Sequence, residues 1–512
     1  MATQWQTYPL EFRGGLISNL SPLQQGINAV GSATILQNFE PNKNGGYSKI
    51  LGFEKYSTTE VTGSGPILAL KVISSGRVVV ARKNASNQTQ YYYGTGTTWT
   101  SMATSVGTNG GKARHAEFNL NGDDKVIFVD GTNYPAIYTT SGNTMSFMTS
   151  SDSTDVSGAE HVAIFKKTAF YAKGNNVYFT APLTVDDFSV ANGAGSINVG
   201  HDVTGLTVFR DQLIIFTTDT IQRVTGSSIS DWSLSPITDR TGCINGDTIQ
   251  EVGGDVIYLA PDGIRLLSAT DRIGDFALNV ASDTIRKDAD TFLNTSSDFS
   301  SMVIREKAQY RIFAYVASEL DSVAKGLVAT KFIAQGSEGI NWATTVGIKA
   351  YVSDSRYASD QETSMFANDD GYVYKMESGN SFDGDSIEAI YESPFMPIND
   401  PQMRKTFYKL TLYITPTGTT SVDLNMIYDF NSNTTIQPPT QTISSTGASV
   451  FLYGASDAIY NTATYGGELD KIYNTNIIGS GKTVAIRISD FSTNATFTLD
   501  TAVLEYRQND RQ

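Results

Sequence analysis

The chain has 512 residues, enough for a large core and more than one domain. It carries a single cysteine, Cys243, which excludes an internal disulfide framework and a cysteine-based zinc site. Its net charge of −15 and lack of Lys/Arg clusters argue against a protein that grips nucleic acid through phosphates. Only 17% of the residues are charged, while Gly, Ser, Thr, Asn and Tyr abound, so the surface suits packing against other subunits at low desolvation cost.

No apolar run approaches the ~18–20 residues of a membrane span. The opening MATQWQTYPLEF lacks the basic start and apolar stretch of a secretory signal. Residues 1–45 read as an irregular or extended docking segment, because Gly14–Gly15, SPLQQG (21–26) and EPNKNGG (40–46) are turn signals. GYSKILGFEKYST (46–58) reads as a strand or strand pair.

A repeated unit follows, over 66–103, 112–150, 158–190, 200–238, 245–280 and 299–346, with a weaker seventh at 347–378. Each unit holds short apolar bursts and, in the first six, a closing aromatic: Trp99, Phe147, Phe188, Trp232, Phe276 and Trp342, spaced by 48, 41, 44, 44 and 66. Tight hairpin turns fall at GNN (174–176), TTD (217–219), PDG (261–263) and NDDG (368–371). Such a period without helical spacing predicts an all-β chain built on a β-propeller over 46–392, with seven blades, or six if 349–378 belongs elsewhere. The aromatics are expected in the core. The seventh unit lacks an outer strand, and the strand within 46–58 is expected to supply it and close the ring.

Near 393 the composition shifts at SPFMPINDPQ. The segments KTFYKLTLYI, SVDLNMIYDF, TVAIRIS and ATFTLDTAVLEYR then alternate with period two, predicting a platform-like β-sandwich over 393–512. Residues 432–480 read as long loops or a less regular hairpin.

No catalytic constellation is visible. His115, His161 and His201 each open the first strand of a repeat and read as structural histidines, since a metal site would need them to converge. Cys243, in TGCING, has no histidine nearby in sequence to activate it and reads as an inert thiol. The acids of NDDG (368–371) and DGD (383–385) lack the spaced ligand set of a calcium loop and read as turn residues. Spacing singles out no carboxylate pair of the glycosidase kind. No catalytic, cofactor-binding or metal residue is assigned, and no cofactor is expected.

Several phrases together resemble the tail nozzle, or tail tubular, proteins of short-tailed bacteriophages: Gly14–Gly15, Pro22, Asn38–Phe39, Gly45 and Gly52–Phe53–Lys55, then Arg404–Leu410 and Leu504–Arg507 near the end. The resemblance implies a non-enzymatic virion protein, assembled in the host cytoplasm as a ring, usually a homohexamer, below a head–tail adaptor. Tail fibres or a needle would be further neighbours. The ring would retain packaged DNA and pass it at ejection without specific binding. The alternative is a carbohydrate-active or glycan-binding propeller.

Overall fold

The computed structural model describes residues 5–102, 108–120, 122–268, 280–334, 337–358, 360–444 and 471–509. Phe276 and the stretch 445–470 lie outside them.

Among the described residues, seven antiparallel blades follow one another. Their innermost strands are Ser64–Val72, Arg114–Leu120, His161–Phe165, Val203–Phe209, Gln250–Val252, Asp298–Ile304 and Val352–Ala358. Strands next to the innermost, such as Asp255–Ala260 and Gln309–Tyr315, are buried along their whole length. Both of their faces press on neighbouring blades, so their sequences read as continuous apolar runs. The outer edge of the seventh blade is completed by Phe53–Lys55, which pairs antiparallel with Val373–Met376. Phe53 stacks on Phe382 at 4.9 Å and meets Phe366 and Tyr374 edge-on at 5.0 and 5.2 Å.

The repeating aromatics occupy a different depth from the one expected. Among the described ones, only Trp342 is fully buried, with its indole N–H donating to the Ala281 carbonyl at 2.9 Å. Trp99, Phe147, Phe188 and Trp232 are half-buried. Trp232 of the fourth blade leans on Phe165, Phe170 and Phe179 of the third, at 6.4, 5.1 and 5.0 Å between ring centroids. It wedges the two blades together while staying partly exposed.

Beyond the propeller, Lys405–Pro416, Ser421–Tyr428, Ile472–Gly481, Val484–Asp490 and Phe497–Gln508 form two sheets over a shared apolar core. Their alternating burial is that of strands with one face inward. The same core continues into the helix Arg286–Leu293 and the outer part of the sixth blade, so sandwich and propeller are fused.

The described residues of the N-terminal segment, expected to be irregular or extended, form short strands and one helix, and they are the clasp of that fusion. Gln6–Glu11 pairs with Phe497–Gln508. Ile35–Gln37 lies between the sixth-blade strand Ser337–Val346 and Ala389–Glu392, merging blade and sandwich into one nine-stranded sheet. The next two strands, Phe39–Pro41 and Tyr47–Lys49, enter the opposite sheet of the sandwich. Strands of three residues carry no readable period, which is why this segment looks irregular in sequence.

Close approach and buried charge lock the clasp. A Cβ on Gly15 would stand 2.8 Å from the Trp342 nitrogen, and one on Gly52 only 2.0 Å from the Ser381 carbonyl oxygen. The Asn38 amide donates to the carbonyls of Val346 and Glu388 at 2.9 and 3.0 Å, while its oxygen accepts from the Val346 N–H. Lys49 and Asp490 pair at 2.8 Å with side chains 0% and 1% exposed. Arg311 of the sixth blade bridges Glu40 and Glu377 at 2.9 and 2.8 Å.

Candidate functional site

The seven innermost strands converge on an axial pocket of about 310 Å³, lined by residues from every blade. The wall of this pocket is polar, and the cause is visible strand by strand. Lys71 interrupts the apolar run PILALKVI of the first blade, and Asp354 sits midway along the first strand of the seventh. Arg114 and His115 begin the second blade and His161 the third. Asp247 stands on the short 3₁₀ turn Gly246–Thr248, which the Asn245 side chain caps by accepting the Asp247 N–H at 2.9 Å.

These groups neutralise one another. Arg114 grips Asp247 through two nitrogens at 2.7 and 3.1 Å, and Lys112 adds a third contact at 3.1 Å. Burial opposes ionisation of Asp247, but Lys112 and Arg114 outweigh it and hold the carboxyl well below the usual range. Asp354 accepts from Lys71 at 3.2 Å and from the Val72 N–H at 2.8 Å, and Lys71 also meets Glu117 at 3.2 Å. Arg356 joins Glu117 from the seventh blade. Arg305 reaches Glu362 at 3.4 Å. Around the same wall, Ser353 and Ser355 donate to the carbonyls of Ser301 and Val303, stitching the seventh blade to the sixth.

Two of the three histidines meet here. Burial, reinforced by Lys71, pushes His115 down to about 4, and burial, reinforced by Arg114, pushes His161 down to about 3. Both are neutral imidazoles at physiological pH. His201 is elsewhere, exposed and 3.5 Å from Asp219. Among the described residues no group of three or more acidic, histidine or cysteine side chains is arranged to hold a metal ion. Cys243 is fully buried, its thiol pushed up to about 12 by burial, and donates to the Asn245 carbonyl. The acids of the two Asp-rich turns serve the propeller's closure: Asp383 pairs with Lys55 of the closing strand at 3.0 Å, Asp369 pairs with Lys349 at 3.1 Å, and Asp370 accepts from the Tyr372 N–H.

Sequence reasoning found the two axial histidines by their recurrence but assigned them no common place. It missed Lys71, Lys112, Arg114, Asp247 and Asp354. The available signal was a single charge within or beside an otherwise apolar first strand.

No family model and no curated protein matches the chain. Solved structures with a distant likeness include the extracellular domain of a one component system from B. thetaiotaomicron, at 10% identity over 70% of this chain and 43% of that one, with a TM-score of 0.40. This chain thus spans less than half of that protein's length. The WD40 repeats of RRP9 align at 9% identity over 63% of this chain and 99% of theirs, with a TM-score of 0.38. An exo-beta-1,3-galactanase from Phanerochaete chrysosporium aligns at 10% identity over 89% and 100%, with a TM-score of 0.26. Likenesses this remote carry no argument about activity, and the propeller itself stands on its strand pairing.

Proposed function

We propose that this chain is a structural subunit of a ring-shaped conduit, of the tail-nozzle kind found in short-tailed bacteriophages, with no enzymatic activity. The observation that carries the reading is the position of the resembling phrases. Gly14–Gly15, Asn38–Phe39 and Gly52–Phe53–Lys55 all belong to the clasp that joins propeller, sandwich and closing strand. The likeness therefore concerns architecture: two β-domains welded into one stiff body, as a load-bearing ring requires. The axis of the single propeller is crossed by ion pairs and is far too small for a duplex. DNA would pass through a lumen formed between subunits, and the net charge of −15 favours a wall that does not hold phosphates.

The carbohydrate-active alternative needs a carboxyl able to keep a proton near neutral pH. Asp247, pinned between Arg114 and Lys112, is the opposite case.

Light scattering and electron microscopy of the purified protein, alone and with a head–tail adaptor, test the proposal. A closed ring, usually of six copies, without affinity for bare duplex DNA at physiological salt is expected. A persistent monomer that cleaves oligosaccharides would overturn it. Micromolar, salt-sensitive DNA binding by a ring would overturn the electrostatic part alone.

A further inference from the structure

We infer that the axial pocket is a binding site for a compact oxyanion of the phosphate kind, held by the inner strands of the propeller. His161 supplies the first observation. It is 7% exposed and lines the pocket, yet its ring forms no hydrogen bond with any described residue. A buried polar group normally has a partner, so an imidazole facing a cavity without one marks a place where a ligand atom belongs.

The second observation is the balance of donors. Both lining carboxylates are saturated by protein groups: Asp247 by Arg114 and Lys112, and Asp354 by Lys71 and the Val72 N–H. An ammonium has three N–H groups. Lys71 directs its contacts at Glu117 and both oxygens of Asp354, while Lys112 meets Asp247 and the Phe299 carbonyl and so keeps a third N–H. Arg305 engages its neighbours through Nη1 and presents further N–H groups at the pocket's edge. The serine hydroxyls donate into the wall and leave only oxygen lone pairs. The neutral rings of His115 and His161 each add one donor and one acceptor.

The wall thus offers mainly N–H donors with a few acceptors. Hydrogen phosphate, with several acceptor oxygens and one O–H, is complementary to that set. A neutral sugar fits less well, because the lining contains no Phe, Tyr or Trp ring for it to stack on. The volume of about 310 Å³ holds a phosphate or a small phosphate monoester with its waters, and nothing polymeric. This inference does not depend on the conduit reading.

The chain has only three histidines, and the exposed His201 is a built-in control. The test is a titration of the full-length protein with inorganic phosphate at neutral pH and fixed ionic strength, following the imidazole C–H resonances by NMR. The His201→Gln variant identifies the control signal, so the remaining two are axial. Saturable movement of the two axial signals, with His201 still, is expected. Glycerol phosphate in a parallel titration decides whether the occupant is free phosphate or a monoester. Arg305 is half-exposed, so Arg305→Gln should leave the fold intact and weaken binding about tenfold, the effect of one charge-assisted contact. Axial signals that stay fixed at tens of millimolar phosphate, or a titration curve indifferent to Arg305→Gln, would overturn the inference.

Discussion

Replacing Lys49 by Met should be among the most damaging single changes to this protein. Lys49 and Asp490 are 0% and 1% exposed and meet at 2.8 Å. The Oδ1 atom of Asp490 accepts from the Ser492 N–H and hydroxyl at 2.8 and 2.6 Å, whereas Oδ2 is served by the Lys49 ammonium. Removing the lysine leaves a buried carboxylate with no counter-charge and with Oδ2 unserved, a situation that costs ~3–5 kcal/mol. Changing both residues, as Lys49→Met with Asp490→Leu, removes the uncompensated charge and should recover most of that loss. Urea denaturation read by tryptophan fluorescence gives the midpoints, and hydrogen exchange shows whether Tyr47–Lys49 opens first. A single variant as stable as the parent, or a double variant no better than the single, would refute the argument that this pair locks the clasp.

Phe53→Ala removes the ring that stacks on Phe382 and should cost ~2–4 kcal/mol, less than a fully buried Phe because Phe53 is half-exposed. Deleting residues 1–60 should abolish soluble expression, and a folded truncated chain would refute the closure mechanism. Stability should fall as the pH drops from about 6.5 toward 4: the unfolded chain takes up protons that His115 and His161 refuse in the folded state, so the stability present above 6.5 is lost at about 1.5 kcal/mol per histidine by pH 5. Denaturation midpoints across that range, compared with His161→Gln, check the sign and the share. Lys166 and Lys167 form a two-residue hairpin turn with φ of 47° and 62°, so Lys166→Asn with Lys167→Gly should raise stability by about 1 kcal/mol in the same assay.

What could be read from sequence was what local chemistry dictates. The blade repeats, the turns at 174–176 and 261–263, the incomplete seventh unit and the C-terminal alternation each leave a mark within a few residues. Turns built against preference left none: Lys166–Lys167 and Arg210–Asp211 both adopt positive φ where Asn-Gly would have announced it. The N-terminal clasp was hidden because its three-residue strands draw their identity from partners hundreds of positions away. The axial site was hidden for the same reason, since Lys71, Arg114, Asp247 and Asp354 become neighbours only when the ring closes. The aromatic repeat was legible as a rhythm but not as a depth, because period alone does not say whether Trp232 sits within a blade or wedged against the next one.

The pairing of Gln6–Glu11 with Phe497–Gln508 also sets a timetable. A ribosome adds ~5–20 residues per second, so Gln6–Glu11 waits roughly 25–100 s for a mate that lies hundreds of residues further along the chain. The propeller cannot close before Val373–Met376 has emerged, and the sandwich cannot be sealed before Phe497–Gln508 has. Nascent and prematurely terminated chains therefore expose unpaired edges and are candidates for chaperone capture or proteolysis. The clasp can fasten only after the ribosome has passed Phe497–Gln508, so the fold's first strand is the last to find its place.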